Sequence, residues 1–291
     1  MRIATLIMGL TFSALAFSQG FGDFDKVEIK THKIADAVYM LEGQGGNIGV
    51  SIGDDGVFII DDQFGPLHKK ITAAIAELTD KPVDYVVNSH WHFDHSDGNV
   101  AFGKAGAVIV SQSNSRQRMT TVQTLSSFGY EQQPYEKAGL PTITFDDEMW
   151  FHFNGDAIQL MHLGAAHTDG DTITYLNKAN VIHTGDVFVT SGLPYIDAGN
   201  GGRIGGIIDS LARVLEVIDD ETVIMPGHGM PGKKADMVKF RETLIEIREA
   251  VAEKKRAGVA LGDIDAEALM AKYPKGFLPS EAFVAVVYNE I

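Results

Sequence analysis

The stretch that most restricts the fold runs from Val83 to His95, "VDYVVNSHWHFDH", where an apolar run ends directly in three histidines and an aspartate. Val83 to Val87 has the β-branched character of a buried strand. His90 and His92, two residues apart at its end, can then point the same way. Asp94 and His95 follow as the chain turns out of the sheet. Imidazole and carboxylate are the donors zinc takes when sulfur is absent, and this chain has no cysteine. One loop cannot enclose a metal ion without strain. The fold must bring other strand ends, carrying ligands of their own, to this one.

Three segments offer such ends. "GAAHTDGD" places His167 after a strand that ends near His162. "HTGD" places Asp186 after Val181 to His183, and "MPGHG" places His228 after Thr222 to Met225. Each follows an apolar run and lies among glycines, which let backbone approach a site closely. Singly, a His or Asp in a turn reads as a cap or a hydrogen-bonding residue. Together, in this order, the four groups read as one metal centre.

The periodicity supplies the layers around it. Short strands fit Val27 to Ile29, Val38 to Leu41, Ile48 to Ile52 and Val57 to Ile60, separated by the turns "GQGGN" and "GDDG". From Pro66 the period becomes helical through Leu67, Ile71, Ala74, Ile75 and Leu78, ahead of the Val83 strand. A strand fits Ala107 to Val110, and a polar helix or loop runs on through Ser127. The second half repeats the plan. Strands fit Thr142 to Phe145, Ala157 to His162, Thr172 to Leu176, Val181 to His183 and Thr222 to Met225. Helical stripes run from Ile204 to Ile218 and from Met237 to Val251. Two β-rich stretches, each followed by helices, predict an α/β domain with two packed sheets and helices outside.

Composition narrows the partners. A net charge of −15 with no Lys/Arg run argues against nucleic acid or an anionic membrane surface. The opening "MRIATLIMGLTFSALAFSQG" has a charged start, an apolar stretch from Ile3 to Phe17, and a small-x-small pattern at Ala16 and Ser18. It reads as a signal peptide over residues 1–18, leaving a domain over 19–291 that works in the periplasm or outside the cell, without a stable membrane anchor.

These motifs resemble the metallo-β-lactamase superfamily of zinc hydrolases, whose signature is HxHxDH, then a His, a bridging Asp and a final His. The resemblance spans nearly all of 19–291, including "FIID" with Asp61. It implies a four-layer αβ/βα sandwich with metals at one edge between the sheets. It further implies two Zn2+, or similar divalent ions, one held by His90, His92 and His167 and the other by Asp94, His95 and His228, with Asp186 bridging. Asp61 would support the metal loop by hydrogen bonds. His162 and His183, close to ligands in sequence, read as satisfied core histidines, with support of a neighbouring ligand as the alternative.

The implied reaction is hydrolysis of an acyl bond in a small molecule (a β-lactam, lactone or ester) by water activated at the metals, with Asp94 orienting that water and moving its proton. The alternatives are a thioesterase of the hydroxyacylglutathione hydrolase type, a phosphate or sulfate ester hydrolase, or a catalytically silent metal-binding relative. The β-lactamases ending in "PGHG" have Arg at the His95 position and Cys at the Asp186 position. Their carboxylate-binding Lys falls where this chain has Thr190. Arg203 in "GNGGRIGG" is the nearest replacement cation in sequence, so weak β-lactam hydrolysis is expected.

Overall fold

The computed structural model describes residues 23–291, so the signal-peptide reading of residues 1–18 lies outside the described residues. In chain order the first strands are β1 (Lys30–Ala35), β2 (Val38–Glu42), β3 (Ile48–Ile52), β4 (Val57–Ile60), β5 (Val83–Val87), β6 (Val108–Gln112), β7 (Gln123–Leu125) and β8 (Tyr130–Gln132). They continue as β9 (Ile143–Phe145), β10 (Glu148–Phe153), β11 (Asp156–Met161), β12 (Ile173–Leu176), β13 (Val181–His183) and β14 (Val223–Met225). The helices are α1 (His68–Ala76), α2 (Phe93–Ser96), α3 (Asn99–Ala105), α4 (Ser113–Met119), α5 (Ile204–Val217), α6 (Lys234–Arg256), α7 (Ala266–Met270) and α8 (Ser280–Glu290). Among the described residues, no helix is long and apolar enough to cross a membrane.

Two sheets carry the fold, one ordered β1-β2-β3-β4-β5-β6-β9 and the other β10-β11-β12-β13-β14. Pairing is parallel along β4, β5, β6 and β9 and between β13 and β14, and antiparallel elsewhere in both sheets. The four layers follow from side-chain alternation. In β4, Phe58 and Ile60 pack between the sheets while Val57 and Ile59 pack under the helices of the first half. In β13, Val181 joins the same central layer and Ile182 joins the core under α5, α6 and α8. Strands buried on both faces read as continuous apolar runs, as these do.

Two expectations are corrected. Val27 to Ile29 form no strand; the edge strand is Lys30–Ala35. Upstream, the carbonyls of Phe24, Asp25 and Val27 accept instead from the Lys70 ammonium at 2.7–3.0 Å. The polar segment through Ser127 is helix only to Met119; β7 and β8 then form a separate hairpin. Its buried positions include Gln123 and Gln132, so it lacks the apolar alternation that marks a strand.

Candidate metal centre

Every expected ligand sits on a connection that leaves a strand or approaches one, and all seven converge on one edge of the sandwich. Ligand atoms of His90, His92 and His167 lie within 4.8 Å of one another, as do those of His90, His95 and Asp186, and those of Asp94, His95 and His228. Asp186 faces both ends: Oδ1 is 3.3 Å from His95 Nε2, while Oδ2 is 3.7 Å from His167 Nε2 and 3.5 Å from His228 Nε2.

The hydrogen bonds fix which nitrogen of each ring is bare. Ser89 Oγ donates to Asp61 Oδ2 at 2.6 Å, so it accepts from His90 Nδ1 at 3.0 Å. His92 Nε2 donates to Asp197 Oδ2 at 2.9 Å, and His167 Nδ1 donates to the Tyr195 carbonyl at 2.7 Å. A neutral imidazole that donates from one nitrogen presents a lone pair at the other. His90 Nε2, His92 Nδ1 and His167 Nε2 therefore bring three lone pairs to 3.0–3.2 Å of one another. Three acceptors at that distance repel unless a cation lies among them. His95 repeats the pattern, donating from Nδ1 to Asp61 Oδ2 at 2.8 Å and turning Nε2 towards Asp186 and His228. Among the described residues, no well-formed hydrogen bond reaches the buried Asp186 Oδ1, whose neighbour His95 Nε2 lies 3.3 Å away. These donors fit divalent metal with nitrogen and oxygen ligands.

The electrostatics divide the site in two. Burial holds His90 well below the usual imidazole range, with the charge on His95 adding to the effect, and burial brings His167 down to about 4. His95 and His228 go the other way: burial opposes their charge, but Asp186 and Asp94 overcome it, raising His95 well above its usual value and His228 to about 9. Burial would raise the two carboxyls, yet the neighbouring His95 and His228 hold Asp94 at about 2 and Asp186 well below the usual range. Metal ligands must be deprotonated, so binding at His95 and His228 displaces protons that burial keeps off His90 and His167.

Backbone approaches these ligands where only glycine fits. A Cβ on Gly46 would overlap the His95 ring, and one on Gly227 would overlap Asp186 Oδ1. Gly46→Ala is expected to push His95 off its position and weaken divalent-metal binding by about 10- to 100-fold, the loss typical of disturbing a ligand's support. Competition with a chelator measures it; an affinity within twofold of wild type contradicts it.

Several residues that matter here were silent in the sequence. Asp197 anchors His92 across 105 residues. Asn47 ties the two halves, donating from Nδ2 to the carbonyls of Pro226 at 3.0 Å and Gly229 at 2.8 Å. The "GGN" turn was the available signal for it. His183 is a core histidine, with Nε2 donating to the Asn47 carbonyl and Nδ1 accepting from Gly185 N. His162 meets the Asp171 carbonyl through Nδ1.

Above the ligands opens a cavity of about 410 Å³, lined by Gln44, Gly45, Phe64, His92, Phe93, Asp94, Leu125, Phe128, Asp186, Tyr195, His228 and Phe277. Its walls are aromatic and its floor is the metal centre; among the described residues, no Lys or Arg lines it. Thr190 lies outside this lining and donates to the Met230 carbonyl at 2.7 Å. Arg203 also lies outside it, exposed, with Nε 4.0 Å from Glu290. Neither residue supplies the cavity with the anchor for a substrate carboxylate that the sequence suggested.

Two sandwiched sheets with an edge of buried imidazoles and carboxylates define a candidate divalent-metal centre. The sequence profile of the metallo-β-lactamase superfamily matches residues 41–228, and the chain belongs to that superfamily. It is 24% identical over 233 residues to a linear primary-alkylsulfatase of Pseudomonas sp., a match that takes in 68% of this chain and only 44% of that protein. Its fold is similar to a metallo-β-lactamase from Pontibacter korlensis (TM-score 0.62, 18% identity, 75% of this chain and 99% of the other). It is also similar to a double mutant of the sec-alkyl sulfatase PisA1 (TM-score 0.69, 16% identity, 91% of this chain and 50% of the other).

Proposed function

We propose that the chain hydrolyses uncharged, apolar esters or lactones at a pair of divalent metal ions, zinc being the best match to the donors. His90, His92 and His167 would hold one ion, Asp94, His95 and His228 the other, and Asp186 would lie between. Two such ions supply Lewis acidity and lower the pKa of bound water towards neutrality. The chain's own groups do the rest. Asp94 lines the cavity floor with Oδ2 3.3 Å from His228 Nε2, where it can orient the attacking water and take up its proton. The aromatic walls exclude bulk water and bury the apolar part of the substrate.

The observation that carries the choice of substrate is that, among the described residues, no Lys or Arg lines the cavity. A substrate carboxylate there forgoes a charge-assisted contact worth about 1.5–3 kcal/mol, or roughly one to two decades. The zinc-loaded protein is therefore expected to turn over p-nitrophenyl alkanoates and neutral lactones with kcat/KM at least about tenfold above penicillins. Penicillins hydrolysed best would contradict the reading. A second reading, alkyl sulfate hydrolysis, is favoured by the likeness to the Pseudomonas alkylsulfatase and by walls that suit an alkyl chain. Sulfate release from an alkyl sulfate without ester turnover would establish it instead. The charged, apolar and small-residue order of residues 1–18 supports export, with Gln19 as the mature N-terminus.

A further inference from the structure

The hairpin that walls the cavity and the imidazole trio beneath it share one buried side chain. Asn200, 4% exposed, lies in the loop between β12–β13 and α5. Its Nδ2 donates to Asp197 Oδ2 at 2.8 Å and to the Thr124 carbonyl at 3.3 Å. Asp197 Oδ2 is the same oxygen that accepts from His92 Nε2 at 2.9 Å. Thr124 is the middle residue of β7, next to Leu125 and in the hairpin whose turn holds Phe128; both of those residues line the cavity.

The other end of Asn200 is fixed as firmly. Its Oδ1 accepts from Arg118 NH1 at 3.0 Å, and the same guanidinium pairs with Asp169 through Nε at 3.3 Å and NH2 at 2.5 Å. Arg118 NH1 also donates to Gln123 Oε1 at 3.2 Å, at the first position of the hairpin. With both amide hydrogens and its carbonyl oxygen engaged, Asn200 has no second arrangement that keeps these bonds. A shift of His92 moves Asp197, and a shift of Asp197 breaks one of the two bonds from Asn200 Nδ2.

We propose that Asn200 is a positioning residue that couples the substrate-facing hairpin to the ligand His92, so that a metal ion held by His90, His92 and His167 orders the hairpin. The coupling rests on the ligand assignment proposed above. It is reciprocal, because linkage between two sites acts equally in both directions: what orders the hairpin also tightens the metal.

The test compares wild type with Asn200→Ala and Asn200→Asp. The aspartate keeps the shape and the acceptor for Arg118 but loses both donated hydrogens, which separates donation from packing. Backbone hydrogen exchange is followed over residues 121–132 without metal and with zinc. In wild type, zinc is expected to slow exchange there by about tenfold, and in both variants by less than about twofold. Zinc affinity, read by chelator competition in a His228→Ala background that keeps the trio, is expected to fall about three- to tenfold in each variant, below the loss for a residue bonded directly to a ligand.

Zinc-dependent protection that persists in both variants overturns the proposal, as does a wild-type hairpin indifferent to zinc. A His228→Ala protein that binds no zinc overturns the ligand assignment, and the coupling with it. If Asn200→Ala fails to fold, Asn200→Asp decides alone.

Discussion

Asp186→Ala is expected to reduce kcat/KM by at least roughly 10³-fold and to lower the bound divalent metal from two ions to one or fewer, a loss larger than the 10- to 100-fold that follows from disturbing an outer partner. The reason is geometric. Asp186 reaches both groups of imidazoles, with Oδ1 3.3 Å from His95 and Oδ2 3.7 Å from His167 and 3.5 Å from His228. Its removal leaves His95 and His228 without the charge that most strongly supports them, and would take away the carboxylate proposed to lie between the two ions. Asp186→Asn keeps the shape but not the charge, so it is expected to lose metal as well. Elemental analysis and ester hydrolysis on the same preparations check both variants. Retention of two ions with wild-type turnover would remove Asp186 from the centre.

The second large effect is on folding. Asp61 is fully buried and accepts from Ser89 N at 2.6 Å, Ser89 Oγ at 2.6 Å and His95 Nδ1 at 2.8 Å. Asp61→Ala strands three buried donors. Each orphaned donor costs about 1–3 kcal/mol, and partial relaxation holds the total to about 3–5 kcal/mol, the usual loss on breaking a buried pair. Alanine is also disfavoured by the backbone, since Asp61 has φ of +64°. Asp61→Asn tolerates that conformation and fills the space, so it should recover part of the stability while still misorienting His95. Denaturant unfolding of metal-free protein separates the cases. A change under about 1 kcal/mol for Asp61→Ala would show that the three bonds contribute little net stability.

The portions of this site legible in the sequence were those where chemistry and strand endings coincide. His90 to His95 directly after an apolar run, and single ligands set among glycines, announce themselves because the residue types are rare and the spacing is local. The layers were legible for the same reason, since doubly buried strands such as Val57–Ile60 give unbroken apolar runs. What stayed hidden depends on contacts between distant residues. Asp197 and Asn200 look like ordinary turn residues until the fold sets Asp197 against His92 and Asn200 against Arg118 and Thr124. Phe277 looks like a loop residue until its ring comes to 5.5 Å from that of His228. The β7–β8 hairpin was missed because buried glutamines replace the apolar residues of a normal strand. Arg203 looked well placed only because sequence distance stood in for spatial distance.

The most direct test of the account is the metal content of the purified protein after dialysis against excess zinc, measured by elemental analysis against protein concentration. Seven converging nitrogen and oxygen donors, with three imidazole lone pairs facing one another and, among the described residues, no well-formed hydrogen bond to the buried Asp186 Oδ1, predict about two ions per chain. One ion or none would contradict the two-metal centre on which the proposed hydrolysis rests.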